Sequence, residues 1–306
     1  MRFLPILAAL AIAAGCAQSP DAQTAAEKGQ IRITCTTGMI ADAARAVAGE
    51  HADVAALMGP GVDPHLYKAT QGDLEKLSAA DIIFYNGLHL EGRMVEVLEK
   101  MADRKPTVAV SEDMPEDRLR TPPEFAGQHD PHVWFDVDLW KSAVDRIARA
   151  LGDADPDHAQ AYRSNAAAYK TELDALHAWV HDQIGSIPPD ARVLITAHDA
   201  FGYFGHAYDI EVLALQGIST AAEFGLQDVD QLVDTIVSRR IKAVFIESSI
   251  SPRSIETLIA GAKAKGHEVK LGGELFSDAM GAAGTPEGTY IGMVKHNVNT
   301  IVEALK

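Results

Sequence analysis

The chain has 306 residues, of which 47% are hydrophobic and 23% charged. This is the balance of a soluble globular protein able to bury a core, about 1.5 to 2 domains on the usual length prior. Its 43 acidic residues against 27 basic ones leave a formal charge of −16. That disfavours a nucleic-acid partner, which needs a basic face to neutralise phosphates. An acidic excess also attracts cations and promotes solubility, and it does not separate those two roles.

At the N-terminus, Arg2 precedes an apolar run from Phe3 to Ala14, too short for the roughly 20 residues a membrane-spanning helix needs. A basic start, a short apolar stretch and small residues make a secretory signal. Ala13-Ala14-Gly15-Cys16 resembles a bacterial lipobox, in which the cysteine is acylated after cleavage, although the Leu usual three residues before the Cys is missing. The expectation is a signal and lipobox over 1–16, a polar tether over 17–29, and export to a periplasmic or other extracytoplasmic location. Cys16 is either lipidated to the cell membrane or removed by ordinary cleavage. The other cysteine, Cys35, lies in the strand-like run Ile31–Thr36 and reads as a buried, inert thiol. A thiolate metal site would need several cysteines.

Beyond the tether, Ile31–Thr36 reads as a strand, Met39–Ala48 as a helix and Val54–Met58 as a strand. A helix after Thr70, a strand at Ile82–Tyr85, a helix over Glu91–Met101 and a strand at Thr107–Val110 complete a first set. A second set has strand-like runs at Arg192–Thr196, Glu211–Leu215, Lys242–Ile246 and Glu268–Leu271, with helical patterns between. Such alternation indicates parallel α/β sheets. Between the sets, Tyr162, Ala166, Tyr169, Leu173, Leu176, Val180, Ile184 and Ile187 recur at steps of four and three, which places them on one helical face. The expected helix over 155–187 is roughly 45–50 Å long at about 1.5 Å per residue, and Pro188-Pro189 stops it. The chain therefore divides into an N-terminal α/β lobe (30–154), a linker helix (155–187) and a C-terminal α/β lobe (188–306), with a cleft between the lobes.

Twelve histidines are present, and most have bland surroundings. His177 and His181, four apart on the linker helix, could pair on a metal, but exposed pairs of this kind are common. His158 sits beside that helix, and His51, His267 and His296 read as surface residues. Three others stand apart. His65 closes Gly61-Val62-Asp63-Pro64-His65, and His132 lies in His129-Asp130-Pro131-His132-Val133-Trp134. His198 ends the strand-like Val193–His198, and Asp278 follows the last strand run. Ligands of open α/β sheets gather outside the carboxyl ends of strands. Two of these residues fall in each lobe, and four N/O donors converging on the cleft would complete a tetrahedral metal site. In the two Asp-Pro-His tripeptides, proline fixes the backbone before the imidazole, and an Asp or carbonyl can hold a ring nitrogen and set its tautomer.

These segments resemble the cluster A-I (TroA-like) solute-binding proteins, the zinc and manganese receptors of ABC importers. The resemblance rests on 61–65, 130–134, Thr196-Ala197-His198-Asp199-Ala200-Phe201-Gly202-Tyr203-Phe204 and Phe276–Gly281. It extends through Tyr85–Glu91, Leu215–Thr220 and Phe245–Ser249, nearly the whole exported chain. It implies two Rossmann-like lobes with parallel sheets joined by one long rigid helix, and a metal site in the inter-lobe cleft. It also implies that His65, His132, His198 and Asp278 are the metal ligands. Glu247 and His89 belong to the resembling segments but are not carried over as ligands. Glu247 stands as a candidate to support one, and His89 as a structural residue.

Imidazole suits zinc, whereas manganese prefers more carboxylate. In the resembling family the third position is often His in zinc receptors and Glu in manganese receptors, and here it is His198. Many zinc-dedicated members carry a long His- and acid-rich loop before the second ligand, but Ser111–Gln128 contains no histidine. Zn2+ is therefore preferred, with Mn2+ and Fe2+ left open. The expected protein is a monomeric receptor, not an enzyme, delivering its metal to the membrane permease of an ABC importer. Two rivals remain: a secreted zinc hydrolase, which would keep an open coordination position for water, and a surface-interaction protein with a structural metal.

Overall fold

The computed structural model describes residues 30–125 and 127–306. The expected signal, lipobox and tether, Cys16 included, lie outside the described residues. The first lobe begins with β1 (Ile31–Cys35), α1 (Gly38–Ala48) and β2 (Ala52–Ala56). It continues through α2 (Gln71–Ala79), β3 (Ile82–Tyr85), α3 (Val95–Ala102) and β4 (Thr107–Ala109). The strands form one parallel sheet in the order β2-β1-β3-β4. In α1, Met39, Ile40, Ala43, Ala44 and Val47 recur at threes and fours and are all buried, the stripe that fixes a helix on a sheet. A capping box starts α2: the Thr70 hydroxyl accepts from the Asp73 N–H, and the Asp73 carboxylate accepts from the Thr70 N–H.

A helix not singled out from the sequence, α4 (Val137–Ala154), ends this lobe. Asp136 caps it by accepting from the N–H groups of Asp138 and Leu139. The long linker is then a 3-10 turn, Pro156–His158, followed by α5 (Ala159–Gly185). Its 27 residues span about 40 Å, somewhat less than expected, because the first residues go into the turn. All eight apolar residues of the anticipated stripe are buried.

The second lobe runs β5 (Val193–His198), α6 (Gly202–Tyr208), β6 (Glu211–Gln216), α7 (Leu226–Ser238), β7 (Ala243–Glu247) and α8 (Arg253–Ala264). It closes with β8 (Lys270–Leu275) and α9 (Tyr290–Leu305). β5 pairs with β6 and β7 with β8, both parallel, and β5 lies beside β7. β5 is buried along its whole length, as befits an interior parallel strand covered on both faces. The last strand differs from expectation: it occupies Lys270–Leu275, not Glu268–Leu271. Gly272 and Gly273 carry no strand signature, yet the packing demands them. A Cβ at Gly272 would lie 2.5 Å from Phe245 Cε1, and one at Gly273, where φ is +138°, would lie 2.6 Å from Thr300 Cγ2. Glycine lets α9 approach the sheet this closely.

One apolar cluster unites the molecule. Ile33, Phe84 and Trp140 of the first lobe join Leu173 of α5 and Phe201, Leu275 and Ile301 of the second. A smaller cluster lies under α7 and α8, and a third, with Leu57, Met58, Leu77 and Met94, lies under the segment 57–70. Cys35 is fully buried, and burial pushes its thiol well up, which is the inert state expected of it. Among the described residues no helix is long and apolar enough to cross a membrane.

Candidate metal centre

The site forms where strands end. His198 is the last residue of β5 and Glu247 the last of β7. Asp278 lies just beyond β8, His65 on the segment after β2, and His132 immediately before the 3-10 turn Val133–Phe135 that leads into α4. All four expected residues are sealed from solvent: His132 and His198 are 0% exposed, Asp278 2% and His65 5%. Their Nε2 and carboxylate atoms face one another. His65 Nε2 lies 3.3 Å from His132 Nε2 and 3.6 Å from Asp278 Oδ2, and His132 Nε2 lies 3.3 Å from Asp278 Oδ1. His198 Nε2 is 3.3 Å from Asp278 Oδ2. Donors held about 2.0–2.1 Å from one ion in a tetrahedron are separated by about 3.3 Å. The four residues each bring one donor atom within 4.8 Å of the others, the only such group of three or more among the described residues.

Hydrogen bonding leaves this cage incomplete. His198 Nε2 and both oxygens of Asp278 are buried without a hydrogen-bond partner, a costly state that a bound cation would relieve. The outward nitrogens, by contrast, are firmly held. His132 Nδ1 is 2.8 Å from Asp130 Oδ1, which also accepts from the His132 backbone N–H. His198 Nδ1 is 2.5 Å from Glu247 Oε2, while Glu247 Oε1 accepts from the N–H groups of Ala197 and His198. Carboxylates on Nδ1 keep the proton there and leave the Nε2 lone pair for a metal. The two Asp-Pro-His tripeptides part company here. Asp130 grips a ring nitrogen, whereas Asp63 accepts from the His65 backbone N–H at 2.8 Å and from the Thr220 hydroxyl at 2.6 Å.

The second lobe also steadies the first lobe's histidine turn. Tyr203 donates its hydroxyl to the Asp130 carbonyl, Trp134 Nε1 donates to the Ser277 carbonyl, and Asn86 Nδ2 donates to the Pro131 carbonyl from within the first lobe. The electrostatics follow from burial and carboxylates together. Burial pushes the His65 imidazolium down to about 3, only partly opposed by Asp278. For His132 burial is overcome by the hydrogen bond to Asp130 and the adjacent Asp278, which raise it to about 9. His198 goes well above its ordinary value, against burial, because of the charges of Glu247 and Asp278. Asp278 is held well below the carboxylate range, again against burial, by His198 and the other imidazoles. Three buried carboxylates thus surround three imidazoles, a pocket built to receive positive charge.

The remaining histidines stay out of the cage. His177 Nδ1 meets the Tyr208 hydroxyl at 3.1 Å and His181 is exposed. His51 stacks on His158, and His267 and His296 meet the carbonyls of Ile241 and Glu274. His129 meets Glu116 and Thr121, and His89 is exposed in a turn at φ +66°. The contact of Glu247 with the His198 ring is visible only in three dimensions, since 49 residues separate the two. Thr220 and Gln216 gave no chemical signal beyond membership of a resembling segment.

Comparison with known proteins shows the family and the fold. Residues 33–304 match the family described as "ZnuA: Zinc-uptake complex component A periplasmic". The chain is 51% identical over 292 residues to the manganese-binding lipoprotein MntA of Bacillus subtilis, covering 95% of this chain and 94% of that protein. It is 47% identical over 304 residues to the zinc-binding protein TroA of Treponema pallidum, covering 99% and 98%. The solved structure of that periplasmic zinc-binding TroA superimposes with a TM-score of 0.88 at 49% identity, over 90% of this chain and 99% of the other.

Proposed function

The chain belongs to the ZnuA family of periplasmic zinc-uptake components, and on that premise we propose that it is an extracytoplasmic receptor capturing a divalent transition metal for an ABC importer. One observation carries the reading: three imidazole Nε2 atoms and a buried carboxylate converge at tetrahedral spacing, with no protein hydrogen bond satisfying the Asp278 oxygens. His65, His132, His198 and Asp278 are the ligands. Four protein donors leave no coordination position for a catalytic water, which supports transport over hydrolysis. The function also accounts for the two halves: N-terminal lobe 30–154, linker 155–187 and C-terminal lobe 188–306 each bring part of the cage or hold it together. The lipoprotein relative MntA supports export and an acylated Cys16, acting as a monomer beside the permease.

Zinc is the preferred cargo. Three neutral nitrogens and one carboxylate oxygen in a dry cage suit it by donor type and by edge length. A second reading, manganese, is favoured by the similarity to MntA and by Asp278 itself. Both of its oxygens face the imidazoles, so bidentate use would give the higher coordination number that manganese accepts. Elemental analysis of the protein from its native compartment, followed by competition between zinc and manganese, decides between them. His198→Ala should weaken zinc binding by orders of magnitude with the fold intact; calorimetry showing unchanged affinity removes His198 from the site.

A further inference from the structure

His65 differs from the other two imidazoles in how it is held. The rings of His132 and His198 are each gripped by a carboxylate, but at His65 the Asp63 carboxylate holds the backbone N–H instead. The position of His65 is therefore the position of its loop. That segment, 57–70, has no regular secondary structure between β2 and α2. It meets the second lobe at Gly61, where φ is +70° and a Cβ would lie 3.3 Å from the Ser248 carbonyl, and at Asp63.

The contact at Asp63 leads back to the other side of the metal. Gln216 is the β6 residue paired with His198 in the β5–β6 ladder. Its Nε2 donates to the carbonyls of Thr220 and Ala222, at 2.7 and 2.5 Å, and so shapes the loop after β6. Thr220 then donates its hydroxyl to Asp63 Oδ2 at 2.6 Å, across 157 residues of sequence, and Asp63 Oδ1 accepts from the His65 N–H. A continuous path of backbone pairing and hydrogen bonds thus runs around the cage from one lobe's ligand to the other's.

We infer that Gln216 and Thr220 form a strap across the cleft that positions His65 and sets the rate at which the bound metal leaves. The inference rests on the receptor reading above. Neither residue touches the metal; both are positioning residues. Release requires one ligand to withdraw first, and His65 is the imidazole whose ring no carboxylate grips, so its place rests on the contact its loop makes with the other lobe. Removing the strap therefore acts on departure of the ion rather than on its arrival, as contacts formed in the closed state generally do.

The test uses Zn2+ and the exported protein, with release followed by stopped-flow in excess chromogenic chelator and binding followed separately. Thr220→Val, which keeps the shape and deletes the hydroxyl, should speed release about tenfold, the effect of losing one hydrogen bond to a carboxylate, while association changes less than about twofold. Thr220→Ser should restore the wild-type release rate. If Thr220→Val is too unstable for measurement, Gln216→Leu carries the same expectation. Wild-type protein that takes up neither Zn2+ nor Mn2+ overturns the receptor reading. Tight Zn2+ binding by the wild type, with unchanged release from Thr220→Val or equally fast release from Thr220→Ser, overturns the strap and leaves the receptor standing.

Discussion

Glu247→Gln is a sharp probe of how the cage is prepared. Glu247 makes three contacts at the end of β5: Oε1 accepts the N–H groups of Ala197 and His198, and Oε2 meets His198 Nδ1. A glutamine can keep the two backbone bonds only by turning its amide oxygen toward them, which points its NH2 at Nδ1. That orientation favours the His198 tautomer with its proton on Nε2, aimed at the metal. Loss of such a support typically costs about 10- to 100-fold in metal affinity, or about 1.4–2.7 kcal/mol. Competitive titration of zinc against a chelator reads the change, and thermal unfolding of the metal-free variant controls for loss of fold. His181→Ala, on the exposed side of α5, should bind as the wild type does. A Glu247→Gln protein that binds zinc within about twofold of the wild type would show that Glu247 does not tune His198, and the reasoning would fail.

Acidity should oppose capture. His132 is raised to about 9, His198 goes well above its ordinary value and His65 is lowered to about 3, so the metal-free site holds protons on His132 and His198 at neutral pH while His65 holds none. Binding must displace both, and the apparent zinc affinity should fall by at least about tenfold per unit as pH drops, read by titration between about pH 8 and about pH 6. The sign reverses for the metal-free fold: stability contributed by charged His132 is full below its unfolded value and is lost as pH rises through about 9. Zinc at about 100 times its dissociation constant should stabilise the fold by about 2.7 kcal/mol, seen as a raised unfolding midpoint that a chelator reverses. Trp134→Phe removes the donor to the Ser277 carbonyl and should cost about 1–3 kcal/mol of stability by denaturant titration, because the carbonyl stays buried. Gly273→Ala should destabilise by more than about 1 kcal/mol, since the backbone there is at φ +138° and the new methyl would meet Thr300.

Much of the site was legible because His198 and Asp278 follow strand ends, and strands announce themselves. His198 ends the mostly apolar run Val193–Ala197, and prolines mark His65 and His132 as turns. The apolar stripe of α5 likewise follows from spacing alone. What escaped depends on contacts that no local pattern encodes. The two Asp-Pro-His tripeptides read alike, yet only Asp130 reaches a ring, because the Asp63 carboxylate is claimed by a threonine from the other lobe. β8 was misplaced because its glycines are required by α9, a partner more than twenty residues away in sequence. Glu247 could be flagged from its segment but given a role only when β7 came to lie beside β5.

The apolar cluster shared by both lobes through α5 has a mechanical consequence. Swinging the lobes apart would part Phe135 from Phe201 and Trp140 from Tyr290, large side chains each worth about 1.5–3 kcal/mol when buried. Such a swing would forfeit a large part of the 5–15 kcal/mol that holds a typical domain folded. This protein is therefore not a jaw. On the receptor reading, a membrane partner that empties the site would displace a ligand from the cage while the two lobes stay packed together.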